Sequence, residues 1–273
     1  MSTPSLNRRR ILRGALGATA SVVTGMSPAL AALLSRTPGQ SAGPFYPARK
    51  PLDKDNDLAQ VAGRPGRAKG DLLHISGRVL DTDGRAVTGS RVEIWQTNTY
   101  GRYDHPRDSW DAPLDPDFQG FGADTVAADG SYRFRTVKPA PYPASADWMR
   151  PPHVHFAVFA PGAKPFITQM YFAGDPLNAR DRLLNGVGDP SARARLVVAL
   201  ENPPPDLEPG SRVASFDIVL GKPPPLKPGF PKWSSQLDDD GSKMHFSQQF
   251  GRNPARPGDV RFTPNSGHSQ GWC

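Results

Sequence analysis

Thr125-Val126-Ala127-Ala128-Asp129-Gly130-Ser131-Tyr132-Arg133-Phe134-Arg135 sets two runs of strand-forming residues on either side of an Asp-Gly turn. In the second run apolar and charged residues alternate, which is the period of a strand with one buried face. The same arrangement stands upstream, where Asp83-Gly84 separates residues 74–80 from 91–96, and Val92, Ile94 and Gln96 alternate with Arg91, Glu93 and Trp95. Both turns predict hairpins. Further strand-like runs occupy 153–159, 166–172 and 213–220, while 192–200 reads as a strand or as two turns of helix. At least seven candidate strands without one long amphipathic helix predict an all-β fold, an antiparallel β-sandwich. Its functional residues are expected on the connections 98–124 and 138–150.

Composition agrees, because 31 prolines and 27 glycines in 273 residues suit many short strands joined by turns. The formal charge is +7, yet Arg8, Arg9, Arg10 and Arg13 supply four of those charges before the first acidic residue, Asp53. A chain without them carries +3 and no dense basic run, which argues against nucleic-acid binding. The four arginines lie in Asn7-Arg8-Arg9-Arg10-Ile11-Leu12-Arg13, ahead of a mildly apolar run, and this resembles a twin-arginine export signal. Cleavage at Ala29-Leu30-Ala31 would release a periplasmic or secreted protein already folded by the time the twin-arginine machinery carries it. The expected organisation is therefore a signal over 1–31, an extended arm and loop over 32–70, the sandwich over 71–221, and a Pro/Gly-rich polar tail over 222–273. Cys273 is the only cysteine, so neither an internal disulfide nor a thiolate metal site is open to the chain.

Chemistry concentrates in Arg150-Pro151-Pro152-His153-Val154-His155-Phe156. On a strand His153 and His155 project from one face, a spacing suited to gripping an ion. By itself the pair reads equally as two polar residues on a solvent face. Tyr103 and Tyr142, in turn-rich surroundings upstream, bring the candidate ligands to four. A phenol with an ordinary pKa near 10 binds as phenolate only where a strong Lewis acid displaces its proton. Ferric iron is the natural candidate, since two phenolates and a hydroxide neutralise its three charges.

These residues resemble the intradiol ring-cleavage dioxygenases, in particular their protocatechuate 3,4-dioxygenase branch. The resemblance runs in order through Gly43-Pro44-Phe45-Tyr46, Glu93-Ile94-Trp95-Gln96, Gly101-Arg102-Tyr103, Leu114-Asp115-Pro116, Pro141-Tyr142-Pro143, Arg150-Pro151, His153-Val154-His155-Phe156, Thr168-Gln169-Met170-Tyr171-Phe172 and Gly174-Asp175-Pro176. It covers residues 37–220 and implies a prealbumin-like sandwich. It also implies Fe(3+) held by Tyr103 and His153 in equatorial positions and by Tyr142 and His155 in axial ones. A catechol-type substrate would chelate the ion, displacing hydroxide and the Tyr142 phenolate, and would react with O2 to give a cis,cis-muconate-type diacid. Arg150 would stabilise negative charge on the ring, and Gln169 would orient Arg150 or the peroxo species, its blander reading being a strand glutamine bonded to backbone. The branch assembles two different chains around one pocket, so a homo- or hetero-oligomer is a further expectation.

Other residues carry blander readings. His105 reads as a solvated loop histidine, Tyr171 and Trp95 as core aromatics, and Tyr46 either as a wall of the substrate mouth or as packing. Ala144 stands where protocatechuate enzymes often have a tryptophan, and this leaves the size of the substrate open, with hydroxyquinol or gallate as alternatives. Fewer than about 40 residues precede the first strand after the cleavage site, too few for the helical dimerisation domain of catechol dioxygenases. Rival readings are a non-catalytic binding module on the same sandwich and an exported zinc hydrolase, which lacks an identifiable carboxylate base.

Overall fold

Alternating residues place the strands, and the computed structural model, which describes residues 34–47, 49–51 and 53–221, contains eleven. They are β1 (Leu72–Leu80), β2 (Arg91–Trp95), β3 (Phe121–Thr125), β4 (Ser131–Val137), β5 (Tyr142–Ser145), β6 (Trp148–Arg150), β7 (His153–Phe159), β8 (Phe166–Phe172), β9 (Val197–Val198), β10 (Arg212–Ser215) and β11 (Ile218–Val219). The segments read as signal and tail lie outside the described residues.

In one sheet β1 pairs antiparallel with β4 and, on its other side, parallel with β10 and β11. Leu73 lies opposite Arg212 and Val79 opposite Ile218, so β10 and β11 keep a single register and form one lane broken at Phe216-Asp217. The second sheet has the order β3-β2-β7-β8-β9, antiparallel except for β8 and β9. The sandwich is therefore mixed at its late lanes. A parallel neighbour needs a long crossover, and β9 is reached through a 3-10 turn (Pro176–Arg180) and two short helices (Arg182–Asn185 and Pro190–Ala194). Residues 192–200 are thus both things the sequence allowed, the end of a helix and then a two-residue strand.

The core lies between the sheets. Leu73, Ile75 and Val79 of β1 and Phe134 of β4 meet Val92 and Ile94 of β2 and Val154, Phe156 and Val158 of β7 in one buried cluster. These are the residues of one parity on each strand, as the pleat requires.

The two Asp-Gly turns differ from expectation. Each is tight, with Gly84 and Gly130 at positive φ, and Asp81 N–H bonds Arg85 O while Ala127 N–H bonds Ser131 O. Yet the strands they join do not pair. β1 and β2 belong to different sheets, as do β3 and β4, so both turns are corners that carry the chain across the sandwich. Turn chemistry fixes the reversal of the chain; burial of the apolar parity chooses the partner. The connection over 138–150 also differs, because it contains a hairpin of β5 and β6 that sets Tyr142 opposite Arg150.

The outer face of the second sheet is covered by the arm. The arm starts beside β11 of the first sheet, where Thr37 N–H bonds Val219 O at 3.0 Å and its hydroxyl accepts from Val219 N–H at 2.9 Å, and reaches β8 of the second sheet at Gln40, whose N–H bonds Ile167 O. Further along, the arm is clamped through Glu93, a fully buried carboxylate that receives Tyr46 OH at 2.7 Å, Lys50 Nζ at 2.6 Å and Arg91 Nη2 at 2.9 Å.

Candidate metal centre

β7 presents His153 and His155 on its outer face, and its neighbours supply their surroundings in register. Trp95 of β2 lies opposite His155, and on β8 Gln169 lies opposite His155 and Tyr171 opposite His153. Trp95 stacks on His155 with centroids 4.8 Å apart and planes 6° from parallel, while Tyr171 lies over His153 at 5.8 Å. Tyr103 arrives from the long loop after β2 and Tyr142 from the start of β5. Gly101 lets them meet: its φ is +82°, and a Cβ there would stand 2.3 Å from Pro141 O.

The four side chains expected from the sequence are together and almost dry, each at most 4% exposed. The Tyr103 and Tyr142 rings meet edge to face at 5.4 Å; Tyr142 lies 5.7 Å from His153 and Tyr103 lies 6.4 Å from His155. His153 Nε2 and His155 Nε2 face each other at 3.2 Å. His153 Nδ1 lies 2.7 Å from Pro151 O, which places its proton there and leaves Nε2 as a lone pair. Tyr103 OH is buried without a hydrogen-bond partner.

Electrostatics prepares these groups. Burial, then the charge of Arg150, lowers the pKa of both histidines well below the usual imidazole value, so both are neutral. Burial raises Tyr103 well above the usual phenol range, with Tyr142 adding to it, and raises Tyr142 as well, though Arg150 pulls Tyr142 back. Two imidazole Nε2 atoms converging beside an unpartnered buried phenol fit a hard cation able to displace phenol protons. Among the described residues no three His, Cys, Asp or Glu side chains gather as a metal site, so the donors do not suit a His-and-carboxylate zinc centre.

Arg150, opposite Tyr142, is 2% exposed. It reaches Asp181 through Nε (2.9 Å), Gln169 Oε1 and the Tyr171 hydroxyl through Nη2 (2.8 and 2.9 Å), and His153 Nε2 through Nη1 (3.0 Å). Burial opposes its charge, but Tyr171 and Asp181 outweigh burial and hold its pKa above the ordinary guanidinium value. Gln169 does bond Arg150, and its amide also donates to Ser41 O of the arm at 2.6 Å.

The remaining aromatics divide. Tyr171 is a core ring whose hydroxyl sits in the arginine network, and Trp95 is the floor under His155. Tyr46 packs edge-on against Trp95 and bonds Glu93, whereas its neighbour Phe45 reaches the site, stacked on Tyr103 at 4.5 Å and edge-on to Tyr142 at 5.7 Å. His105 is not solvated: it is 9% exposed and meets Phe45 edge-on. Sequence reasoning missed Phe45 as a wall, Asp108, which accepts the Tyr103 N–H at 2.7 Å, and Asp181. Asp181 is the N-cap of the turn Arg182–Asn185, and an aspartate ahead of a short helical run is the one local signal by which it could have been found.

Comparison with known proteins bears on this arrangement. The family profile described as Dioxygenase matches residues 41–222. The protocatechuate 3,4-dioxygenase beta chain of Burkholderia cepacia is 43% identical over 158 residues, covering 56% of this chain and 66% of that one. The hydroxyquinol 1,2-dioxygenase of Rhizobium sp. (strain MTP-10005) is 31% identical over 172 residues, covering 56% and 55%. The chain thus spans between about half and two thirds of the length of these curated relatives. Among solved structures, the dioxygenase domain of a dioxygenase carbohydrate-binding protein fusion from Streptomyces sp. SirexAA-E is 28% identical with a TM-score of 0.51, over 68% of this chain and 99% of that one. A hydroxyquinol 1,2-dioxygenase from Pseudomonas putida DLL-E4, at 24% identity and a TM-score of 0.54 over 68% and 67%, shares the fold. With a profile match over two thirds of its length, this chain belongs to the intradiol ring-cleaving dioxygenase family.

Proposed function

We propose that this chain is a non-haem Fe(III) dioxygenase that uses O2 to open a catechol-type ring between its two hydroxyl-bearing carbons, with a protocatechuate-like substrate. The observation that carries the reading is the convergence of Tyr103, Tyr142, His153 and His155 in a buried site beside Arg150. Ferric iron held by these four side chains would supply a Lewis acid able to take phenols and catechol hydroxyls as their anions.

The residues divide the remaining work. The histidines are already neutral, so no proton competes for their lone pairs. Tyr142 lies beside the Arg150 guanidinium, which is a charged donor for its oxygen; Tyr103 OH has no donor. Arg150 can hold the Tyr142 oxygen as a hydrogen-bond donor, so of the two phenols Tyr142 would be the one better able to part from a bound metal and carry away a catechol proton. Arg150 holds a fixed positive charge next to the ring, where it stabilises negative charge that develops on carbon. Phe45 and Trp95 exclude water and keep the dielectric low, which strengthens each of these interactions.

The higher identity to the protocatechuate chain than to the hydroxyquinol enzyme supports a carboxylated catechol, while Ala144 leaves room for another ring. We read 71–221 as the catalytic domain. The motif at 7–13 supports twin-arginine export to the periplasm or beyond, and the two-chain relatives support an oligomer.

Purified iron-replete protein is expected to show a broad visible tyrosinate-to-iron band that shifts when a catechol is added. Arg150→Gln is expected to keep the band and lower kcat about 10²–10³-fold. A colourless protein, or a band that survives Tyr103→Phe and Tyr142→Phe together, overturns the reading. Oxygen uptake with protocatechuate, catechol, hydroxyquinol and gallate ranks the substrates.

A further inference from the structure

We propose that Asp181 is the positioning residue that aims Arg150: its carboxylate grips one edge of the guanidinium so that Nη1 is the nitrogen left facing the reacting ring. The inference deepens the proposed function and rests on its assignment of Arg150. Asp181 Oδ2 accepts from Nε at 2.9 Å and Oδ1 from Nη2 at 3.3 Å, a two-point hold on a planar group. Gln169 and Tyr171 occupy Nη2 from the other side. Nη1 then points to His153 Nε2. A lone pair given to a metal cannot also accept a hydrogen bond, so in the loaded site Nη1 is the donor left for the Tyr142 oxygen and the substrate beside it.

Asp181 is itself immobile. It is 0% exposed, and Oδ1 accepts from Leu183 N–H at 3.1 Å and Leu184 N–H at 2.8 Å, capping the helical turn Arg182–Asn185. Gln169 and Tyr171 are neutral, so Asp181 is also the counter-ion that lets a cation stay buried here. A cap alone requires no such pairing, and this separates the two roles.

Asp181→Asn tests the assignment, because asparagine caps a helix as well as aspartate does but puts no negative charge at Nε. The expected result is a protein that still binds iron and keeps its tyrosinate band. Its kcat falls roughly 10- to 100-fold and its KM by less than about threefold, with no further loss when the change is added to Arg150→Gln. Losses that multiply in the double variant, or an unchanged kcat, overturn it. If Asp181→Asn is too unstable to purify, the double variant decides: recovered folding supports action through Arg150, and equal instability overturns it. An independent readout is the Arg150 Nε–H cross-peak in an NMR spectrum of the metal-free protein. It should exchange slowly in the wild type and be lost in Asp181→Ser; an unchanged cross-peak overturns the grip. A wild type that opens no catechol fails the proposed function alone, since the cross-peak still tests Asp181.

Discussion

The two faces of β7 are built from the same seven residues to opposite ends. Val154, Phe156 and Val158 point inward and pack against both sheets, where any apolar side chain of the right volume serves. His153 and His155 point outward into an equally buried layer made of the arm, the long loop and the hairpin, where atoms rather than volumes matter. The inner face stabilises the sandwich without chemistry. The outer face holds lone pairs, a phenol without a partner and a buried cation, an arrangement that packing alone does not favour.

This contrast breaks most sharply if neighbouring residues are changed one at a time. His155→Ala is expected to abolish iron retention and ring cleavage while far-ultraviolet circular dichroism stays that of a β protein; retained activity would show that the outer face is not the site. Phe156→Ala should do the reverse, lowering stability by about 3–5 kcal/mol in urea titrations while the visible band persists. A smaller effect is expected at the seam between loop and hairpin. Gly101→Ala forces a side chain into a left-handed backbone at about 1–2 kcal/mol and presses on Pro141, so Tyr142 shifts and the band moves with only a modest loss of stability.

The smallest effect lies far from both faces. Glu208 has its pKa lowered to about 2, by its own backbone amide and then by Arg135 and His74. An acid whose folded pKa lies below its unfolded value of 4.5 adds stability above that value and loses it as the pH falls toward 2. Urea midpoints of Glu208→Gln should therefore change less across that window than those of the wild type. The difference should be slight, because this carboxylate is largely in water.

Much of this was legible because it depends on period. The two-residue spacing of the histidines fixes a shared face, and the alternating runs fix the sandwich. Pairing was less legible. The Asp-Gly turns name a reversal but not a partner, and Pro143 disguises β5, since proline argues against a strand unless that strand is an edge. The run 213–220 reads as one strand, whereas the structure breaks it at Phe216-Asp217 into β10 and β11, and β9, two residues long, is too short for its period to separate strand from helix. The tyrosines were recognisable through the family's motifs, but Asp181 was not: its sequence context signals a cap, and nothing local shows that Arg150, 31 residues earlier, folds onto it.

Thr37 and Val219, bonded to each other through backbone and hydroxyl, stand near the first and last described residues. The arm and the last strand of the sandwich are thus tied to each other across 182 residues of sequence. In a chain cut to these two points, a short linker from Val219 to Thr37 with a new opening in the turn at Gly162, between β7 and β8, would give a circularly permuted domain. There the arm would follow β11 instead of preceding β1, and its grip on the outer face could be separated from its order in the chain.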